Sequence, residues 1–476
     1  MNTKYLTIAS ACLLLSFTGC SKKQTSVYIT TSDGAYFIPQ QEITIEAKKA
    51  NSSVNINPEK KLQTIEGFGA CFNELGWQAL SALDENTQDS IFQNLFAPDK
   101  GAAFTYNRMP IGANDFAIDW YSFNETPNDF EMKNFSIQND HKTLIPFIKK
   151  ALAYNPEMKI WASPWCPPSW MKYNGHYASK PNDPTKPYYN GLPEARRGFE
   201  GTDMFIQKPE YLEAYALYFK KFIESYKKEG IQIAAVAPQN EFNSVQPYPS
   251  CTWTSKGLNE FIGKYLGPAM KEVGVPVWFG TMERENYKLV DTLLTDPSSS
   301  KYIQCVAFQW AGKGAIGEIH QRYPEMKLIQ SESECGNGLN DWKHAMHTWD
   351  LLKHYLKNGA SIYEYWNIAL EKDGMSRWGW RQNSLISVDS SNKTYTYNPE
   401  YYIMQHFSRY VKPGAVMLET DGEYDNLVAF MNPDNTIAII IANQTAEDKQ
   451  VDINIGEKSI SPVLAKSTVN TIVLSL

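Results

Sequence analysis

Two apolar runs in this sequence end in carboxylates. One reads Ala237-Pro238-Gln239-Asn240-Glu241-Phe242, the other Gln330-Ser331-Glu332-Ser333-Glu334-Cys335. Acids collect in loops simply because loops are wet. Glu241, however, follows Asn240 directly at the end of an apolar strand-like run. Carboxylates carried by two separate strands suit retaining glycoside hydrolysis. One acid protonates the leaving oxygen and the other attacks the anomeric carbon, about 5–5.5 Å away. Asn240 is placed to hold a sugar hydroxyl. Side chains repeat every two residues along an extended segment. Glu332 and Glu334 are therefore expected on one face, and spacing alone leaves both open as the second acid.

Other residues fit such a site. Arg108 lies inside an apolar strand-like run, where an unpaired charge is costly, so it should pair with a buried carboxylate. Asp115 follows Gly112-Ala113-Asn114 and suits bidentate binding of two hydroxyls. Trp165 and Trp170 flank Pro164, Pro167 and Pro168, giving stiff aromatic walls. Trp366-Asn367 closes another run, and Trp378-Gly379-Trp380-Arg381-Gln382-Asn383 follows. A single Trp is more often core than ligand contact. Several near two acids point to a sugar-stacking cleft.

Something must hold these residues together. Between 66 and 410, apolar strand-like runs occur at 67–72, 104–110, 159–164, 231–238, 275–282, 303–310, 327–331 and 361–366. Helical patterns lie between them. The clearest starts near Pro209, carries Leu212, Tyr215, Phe219, Phe222, Ile223 and Tyr226, and stops at Gly230. Others span 258–273 and 342–357. Eight strand–helix units predict an α/β fold, a (β/α)8 TIM barrel, whose active residues stand at the C-terminal strand ends. Residues 27–65 and 411–476 alternate with period 2 and show no helical periodicity. One β-sandwich domain built from both terminal pieces is the economical expectation.

The balance of 45 Lys+Arg against 52 Asp+Glu gives a net charge of -7, which argues against nucleic-acid binding. Lys4 precedes an apolar run over 5–17 that is too short for a bilayer, which needs about 20 residues. Residues 1–19 are expected to be a signal peptide. Phe17-Thr18-Gly19-Cys20 resembles a bacterial lipobox, so Cys20 is the expected lipidation site and 20–26 a polar tether. That predicts a lipid-anchored protein of the bacterial cell envelope, at the outer membrane, surface or periplasmic face. The remaining cysteines are odd in number and sparse, which does not suit a disulfide scaffold, although one pairing stays open. There is no CxxC and no HExxH; no metal is expected, and His344 and His347 read as helix surface.

Gly312-Lys313-Gly314-Ala315-Ile316-Gly317 fits G-x-G-x-x-G, with Glu332 downstream, and raises an NAD-dependent oxidoreductase as an alternative. Trp310-Ala311 separates the run from the first glycine, where the phosphate turn should be immediate, so a loop at the barrel top is the better expectation. A non-catalytic glycan-binding lipoprotein is the other alternative from outside the class.

In order along 60–476, the segments Glu66-Gly67-Phe68-Gly69-Ala70, Asn107-Arg108-Met109-Pro110-Ile111-Gly112, Asn114-Asp115-Phe116, Ala162-Ser163-Pro164-Trp165, Ser169-Trp170-Met171-Lys172, Gln239-Asn240-Glu241, Ser331-Glu332 and Trp366-Asn367-Ile368-Ala369-Leu370 resemble glycoside hydrolase family 30, the glucosylceramidase family. The resemblance implies a barrel with a sandwich made from both termini. It implies that Glu241 is the acid/base, Glu332 the nucleophile, and Arg108 the residue orienting it. Asp115, Trp165, Asn240 and Trp366 are implied sugar-binding positions. Gln309-Trp310-Ala311 stands where glucosylceramidase has His-Trp-Tyr, which counts against glucosylceramide. The loop 378–384 resembles the β-1,6-glucanase branch and adds Trp378 and Trp380 as substrate contacts. The expectation is a retaining endo-β-1,6-glucanase acting through a covalent glycosyl-enzyme, without a cofactor, as a monomer, on a polysaccharide or oligosaccharide. The alternatives are a β-glucosidase or glucosylceramidase and a β-1,6-galactanase.

Overall fold

The computed structural model describes residues 26–40 and 42–475. The expected signal peptide, Cys20 and the tether up to Thr25 lie outside the described residues. Eight parallel strands close a barrel in chain order: Gly67–Cys71, Tyr106–Pro110, Lys159–Ser163, Ala235–Val236, Val277–Met282, Ile303–Gln309, Lys327–Glu332 and Ala360–Asn367. Each overlaps one of the expected runs. The fourth is far shorter than 231–238. Pro238 cannot donate to a ladder, and the chain beyond Val236 keeps only spaced bonds to its neighbour. Ala237 N–H donates to Ala162 O at 2.9 Å and Asn240 N–H to Pro164 O at 2.7 Å. Those bonds carry Asn240 and Glu241 over the barrel mouth.

Large and small side chains alternate inside the barrel. Trp161 and Trp278 pack with ring centroids 5.1 Å apart, and Ala235, Ala237, Cys305 and Ala307 make room for them. Outside the strands, the helix Pro209–Lys228 buries Leu212, Tyr215, Phe219, Phe222, Ile223 and Tyr226, as its spacing predicts. Gly230 follows at φ 80, which a residue with a Cβ adopts only with strain. The expected helix over 258–273 is α-helical at Ser255–Phe261 and Gly267–Val273 and widens to a π-helix at Ile262–Leu266. Pro268 has no N–H for the regular ladder, which loosens the register just before it.

Both ends of the described residues enter one ten-stranded sheet. Ser26–Ser32 pairs antiparallel with Thr468–Ser475, and Val54–Thr64 with Val416–Gly422. The sheet folds over a core of Val54, Ile56, Leu418, Ile439, Ile453 and Ile472. The helix Pro399–Ser408 joins it to the barrel. Its buried His406 bonds Thr31 Oγ1 at 2.7 Å and Thr471 Oγ1 at 2.8 Å, tying both termini together. Cys71, Cys166, Cys251, Cys305 and Cys335 are free and buried, so no disulfide forms among the described residues.

The same helix buries an acid. Asn383 Nδ2 donates to Glu400 Oε1 at 2.6 Å, while Oε2 has no partner among the described residues. Burial pushes the Glu400 carboxyl up to about 7. The folded state thus holds this proton more tightly than the unfolded chain. The stabilisation is complete below about pH 4 and is lost as pH rises through about 7. Glu400→Gln keeps the neutral shape at every pH. It should flatten the fall of Tm between pH 5 and 8 and stabilise the protein at pH 8 by roughly 2–3 kcal/mol. An unchanged slope in thermal melts would contradict this.

Candidate active site

Glu241, five residues beyond the fourth strand, has φ 45, a left-handed conformation uncommon for a residue with a Cβ. Its N–H donates to Thr281 Oγ1 at 3.0 Å, and that hydroxyl donates to Asn240 Oδ1 at 3.1 Å. The fifth strand therefore sets the angle at which Asn240 and Glu241 enter the mouth. Trp310, at φ 48, makes a similar turn after the sixth strand. Strain of this kind concentrates at functional sites.

Arg108, fully buried on the second strand, is the centre of the arrangement. One terminal nitrogen donates to Glu332 Oε2 at 3.0 Å, to Ser331 O at 3.1 Å and to Gln309 Oε1 at 3.3 Å. The other donates to Asn240 Oδ1 at 2.7 Å and Ser163 Oγ at 2.8 Å. Its guanidinium lies 4.4 Å from the ring centre of Trp165 and 5.6 Å from that of Trp366. Those two rings stack at 5.2 Å. Arg108 thus joins the strand carrying Glu332 to the one carrying Glu241.

Glu332 also accepts from Trp310 Nε1 at 3.0 Å and Gln309 Nε2 at 3.2 Å. Gln309 Nε2 reaches Glu241 Oε1 as well, at 3.3 Å. Burial raises the proton affinity of both acids; at Glu332 the Arg108 charge opposes this and the Glu241 charge adds to it. Two carboxylates so close resist double ionisation. Arg108 pairs directly with Glu332 and favours its charged form, while burial and the Glu241 charge push that carboxyl up to about 7.

Glu334 goes elsewhere. The strand ends at Glu332, so the two-residue alternation does not continue, and the expected shared face is not formed. Glu334 instead pairs with Lys313 at 2.6 Å and His347 at 2.9 Å.

Asp115, Glu241, Glu283, Trp310, Glu332 and Trp380 line one cavity of about 470 Å³. Asp115 is buried, and its Oδ1 has no partner among the described residues. Burial, then Glu332 and Glu241, hold it well above the usual carboxylate range. Trp380 packs against Tyr248, ring centres 4.7 Å apart. Trp378 does not join the wall. It is 2% exposed and lies edge-on to Trp120 at 4.8 Å, beneath the rim. Adjacent residues in a turn diverge, and here only the second faces the cavity.

Glu283 and Tyr248 are site residues that the sequence reading passed over; Gln309 and Trp310 entered it only as a departure from glucosylceramidase, with no site role. Glu283, Gln309 and Trp310 together close the fifth and sixth strands, so treating every strand end alike would have found all three. Burial, then the Glu241 charge, push Glu283 up to about 8. Tyr248 sits in a loop with no such signal.

The glycine pattern does not make a phosphate cradle. A Cβ on Gly312 would sit 1.9 Å from Met282 O, and one on Gly314 would sit 2.4 Å from the Glu285 side chain. These glycines admit the protein's own neighbouring loop.

The profile of the glycosyl hydrolase family 30 TIM-barrel domain matches residues 65–190 and 194–411, and that of the family's β-sandwich domain matches 414–472. The chain belongs to glycoside hydrolase family 30. Lysosomal acid glucosylceramidase of Mus musculus is 27% identical over 446 residues, covering 87% of this chain and 82% of that one. Endo-1,6-β-D-glucanase neg1 of Aspergillus fumigatus is 27% identical over 424 residues, covering 83% and 82%. The solved endo-β1,6-glucanase BT3312 superposes with a TM-score of 0.79 at 26% identity, covering 94% and 99%. This family 30 hydrolase therefore acts on O-glycosyl bonds and takes a carbohydrate substrate, and the oxidoreductase alternative falls away.

Proposed function

We propose that this family 30 hydrolase cleaves β-1,6-linked glucan with retention, by double displacement. One observation carries the mechanism: Glu241 Oε1 and Glu332 Oε2 share a single donor nitrogen, at 3.3 and 3.2 Å. Laid end to end, these contacts reach only the lower edge of the roughly 6.5–9.5 Å separation of inverting enzymes and accommodate the roughly 5–5.5 Å of retaining ones. In the first step a Glu332 carboxylate oxygen bonds to the anomeric carbon. The glycosidic C–O bond breaks, and the Glu241 proton goes to the leaving oxygen. In the second, Glu241 takes a proton from water, the resulting oxygen bonds to the anomeric carbon, and the ester bond to Glu332 breaks.

Support for the linkage comes from the two glucanases and from the cavity. Ser244, Gln246, Glu283 and Arg284 line it beside the proposed acid, where the leaving group sits. Such hydrogen-bonding groups suit a second sugar better than a hydrocarbon chain. Asp115, which lines the cavity, is placed to hold hydroxyls of the reactive sugar; the Trp165 and Trp366 rings are buried against Arg108 and support the site from behind.

A β-1,6 bond adds a rotatable torsion, so fixing the chain carries an entropic penalty, which a rigid aromatic face offsets. Trp380 supplies that face. Trp380→Ala should lower kcat/KM on β-1,6-glucan by one to two orders of magnitude, roughly 1.5–3 kcal/mol. An aryl β-glucoside should change much less; equal losses on both would make Trp380 a packing residue only.

We also propose that the chain is a monomer anchored to the bacterial envelope through a lipidated Cys20. Cys20→Ala should move the protein from the membrane to the soluble fraction, without changing turnover of an aryl glucoside. Retention of the variant in the membrane would contradict the anchor.

A further inference from the structure

Gln309 is oriented without ambiguity. Its Oε1 faces Arg108, which only donates, and accepts from Ser331 Oγ at 2.9 Å. Its Nε2 must then face the carboxylates. That nitrogen carries two hydrogens and has three acceptors in reach: Asn240 Oδ1 at 3.2 Å, Glu332 Oε2 at 3.2 Å and Glu241 Oε1 at 3.3 Å. Two hydrogens give at most two of these acceptors a full, linear bond. Asn240 Oδ1 is already served by Arg108 and Thr281. The contest lies between the two acids.

We propose that Gln309 is a positioning residue that hands a hydrogen bond from Glu332 to Glu241 as the negative charge moves between them. The inference rests on the retaining reading above. A donor prefers an ionised acceptor, and such bonds are about twice as strong as neutral ones. Before attack the charge is on Glu332 and Glu241 is protonated, so the N–H serves Glu332, together with Arg108 and Trp310. After attack Glu332 is a neutral ester and Glu241 is the carboxylate that must accept a proton from water. The N–H then serves Glu241. The amide thus lowers the proton affinity of Glu241 only in the step where it acts as base. A glutamine does this at any pH, because it does not titrate; a histidine at this position would add its own ionisation.

The test uses an aryl β-glucoside with a leaving group so good that hydrolysis of the glycosyl-enzyme limits kcat. The acidic limb of kcat then reports Glu241 in the intermediate, and the basic limb of kcat/KM reports it in the free enzyme. Q309M keeps the bulk and removes the donor. It should move the acidic limb of kcat up by about one pH unit and lower kcat about tenfold at pH 5. The basic limb of kcat/KM should move less. Should Q309M fail to fold, Q309N, whose amide is too short to span both oxygens, is read in the same way. Equal losses in kcat and kcat/KM with unmoved limbs would overturn the proposal. So would a folded variant with no measurable turnover, because a shared donor modulates the reaction and does not perform it. An α-configured first product, or no cleavage, from the unaltered enzyme would instead refute the retaining reading, before any variant is compared.

Discussion

Glu332→Ala is expected to fold and to turn over no substrate, activated aryl glycosides included. The loss should be roughly 10⁴-fold or more, because no carboxylate remains to bond the anomeric carbon. Glu334→Ala is the control. Its side chain pairs with Lys313 and His347 and does not line the cavity. It should keep aryl glucoside turnover within about threefold of wild type, the scale of a partly exposed ion pair. Initial rates on one aryl glucoside decide between the two. A dead Glu334→Ala beside an active Glu332→Ala would reverse the nucleophile assignment.

Glu241→Ala should lose about 10²–10⁴-fold on glucan, whose leaving oxygen needs a proton. On an activated aryl glucoside much of the first step should survive, and azide should accelerate turnover by replacing the missing base step. The pH dependence has a definite sign. Burial raises the proton affinity of Glu241, so the acid form persists above the usual carboxylate range. The rate should fall only as pH rises through that raised value. Glu241→Gln, assayed on the activated substrate, should lose this basic limb. If the limb persists there, another group sets it.

The barrel was legible because its eight runs are apolar and alternate with helical patterns, the clearest of which stops at Gly230. The fourth strand was misjudged in length: an apolar run reads as strand through Pro238, while pairing depends on N–H groups that proline lacks. At the site, Arg108 announced its partner through burial alone, since an apolar strand cannot carry a lone charge. The choice between Glu332 and Glu334 was illegible from spacing, because alternation holds only while a strand stays paired. Trp378 and Trp380 looked equivalent for a related reason. Their place in one loop puts both near the rim, but the turn at Gly379, with φ 92, leaves only Trp380 lining the cavity. Gln309 stood out in the sequence only as a departure from the glucosylceramidase His-Trp-Tyr, because an amide carries no charge to explain. Its importance comes from three acceptors that other strands deliver to it.

The most direct measurement is proton NMR of the first sugars released from β-1,6-glucan, taken before the anomers equilibrate. Two carboxylates within reach of one nitrogen predict that the newly formed reducing end appears first as the β anomer, on β-1,6-linked gluco-oligosaccharides. An α anomer appearing first, or a glucan left intact by an enzyme that cleaves another β-glycoside, would contradict the account.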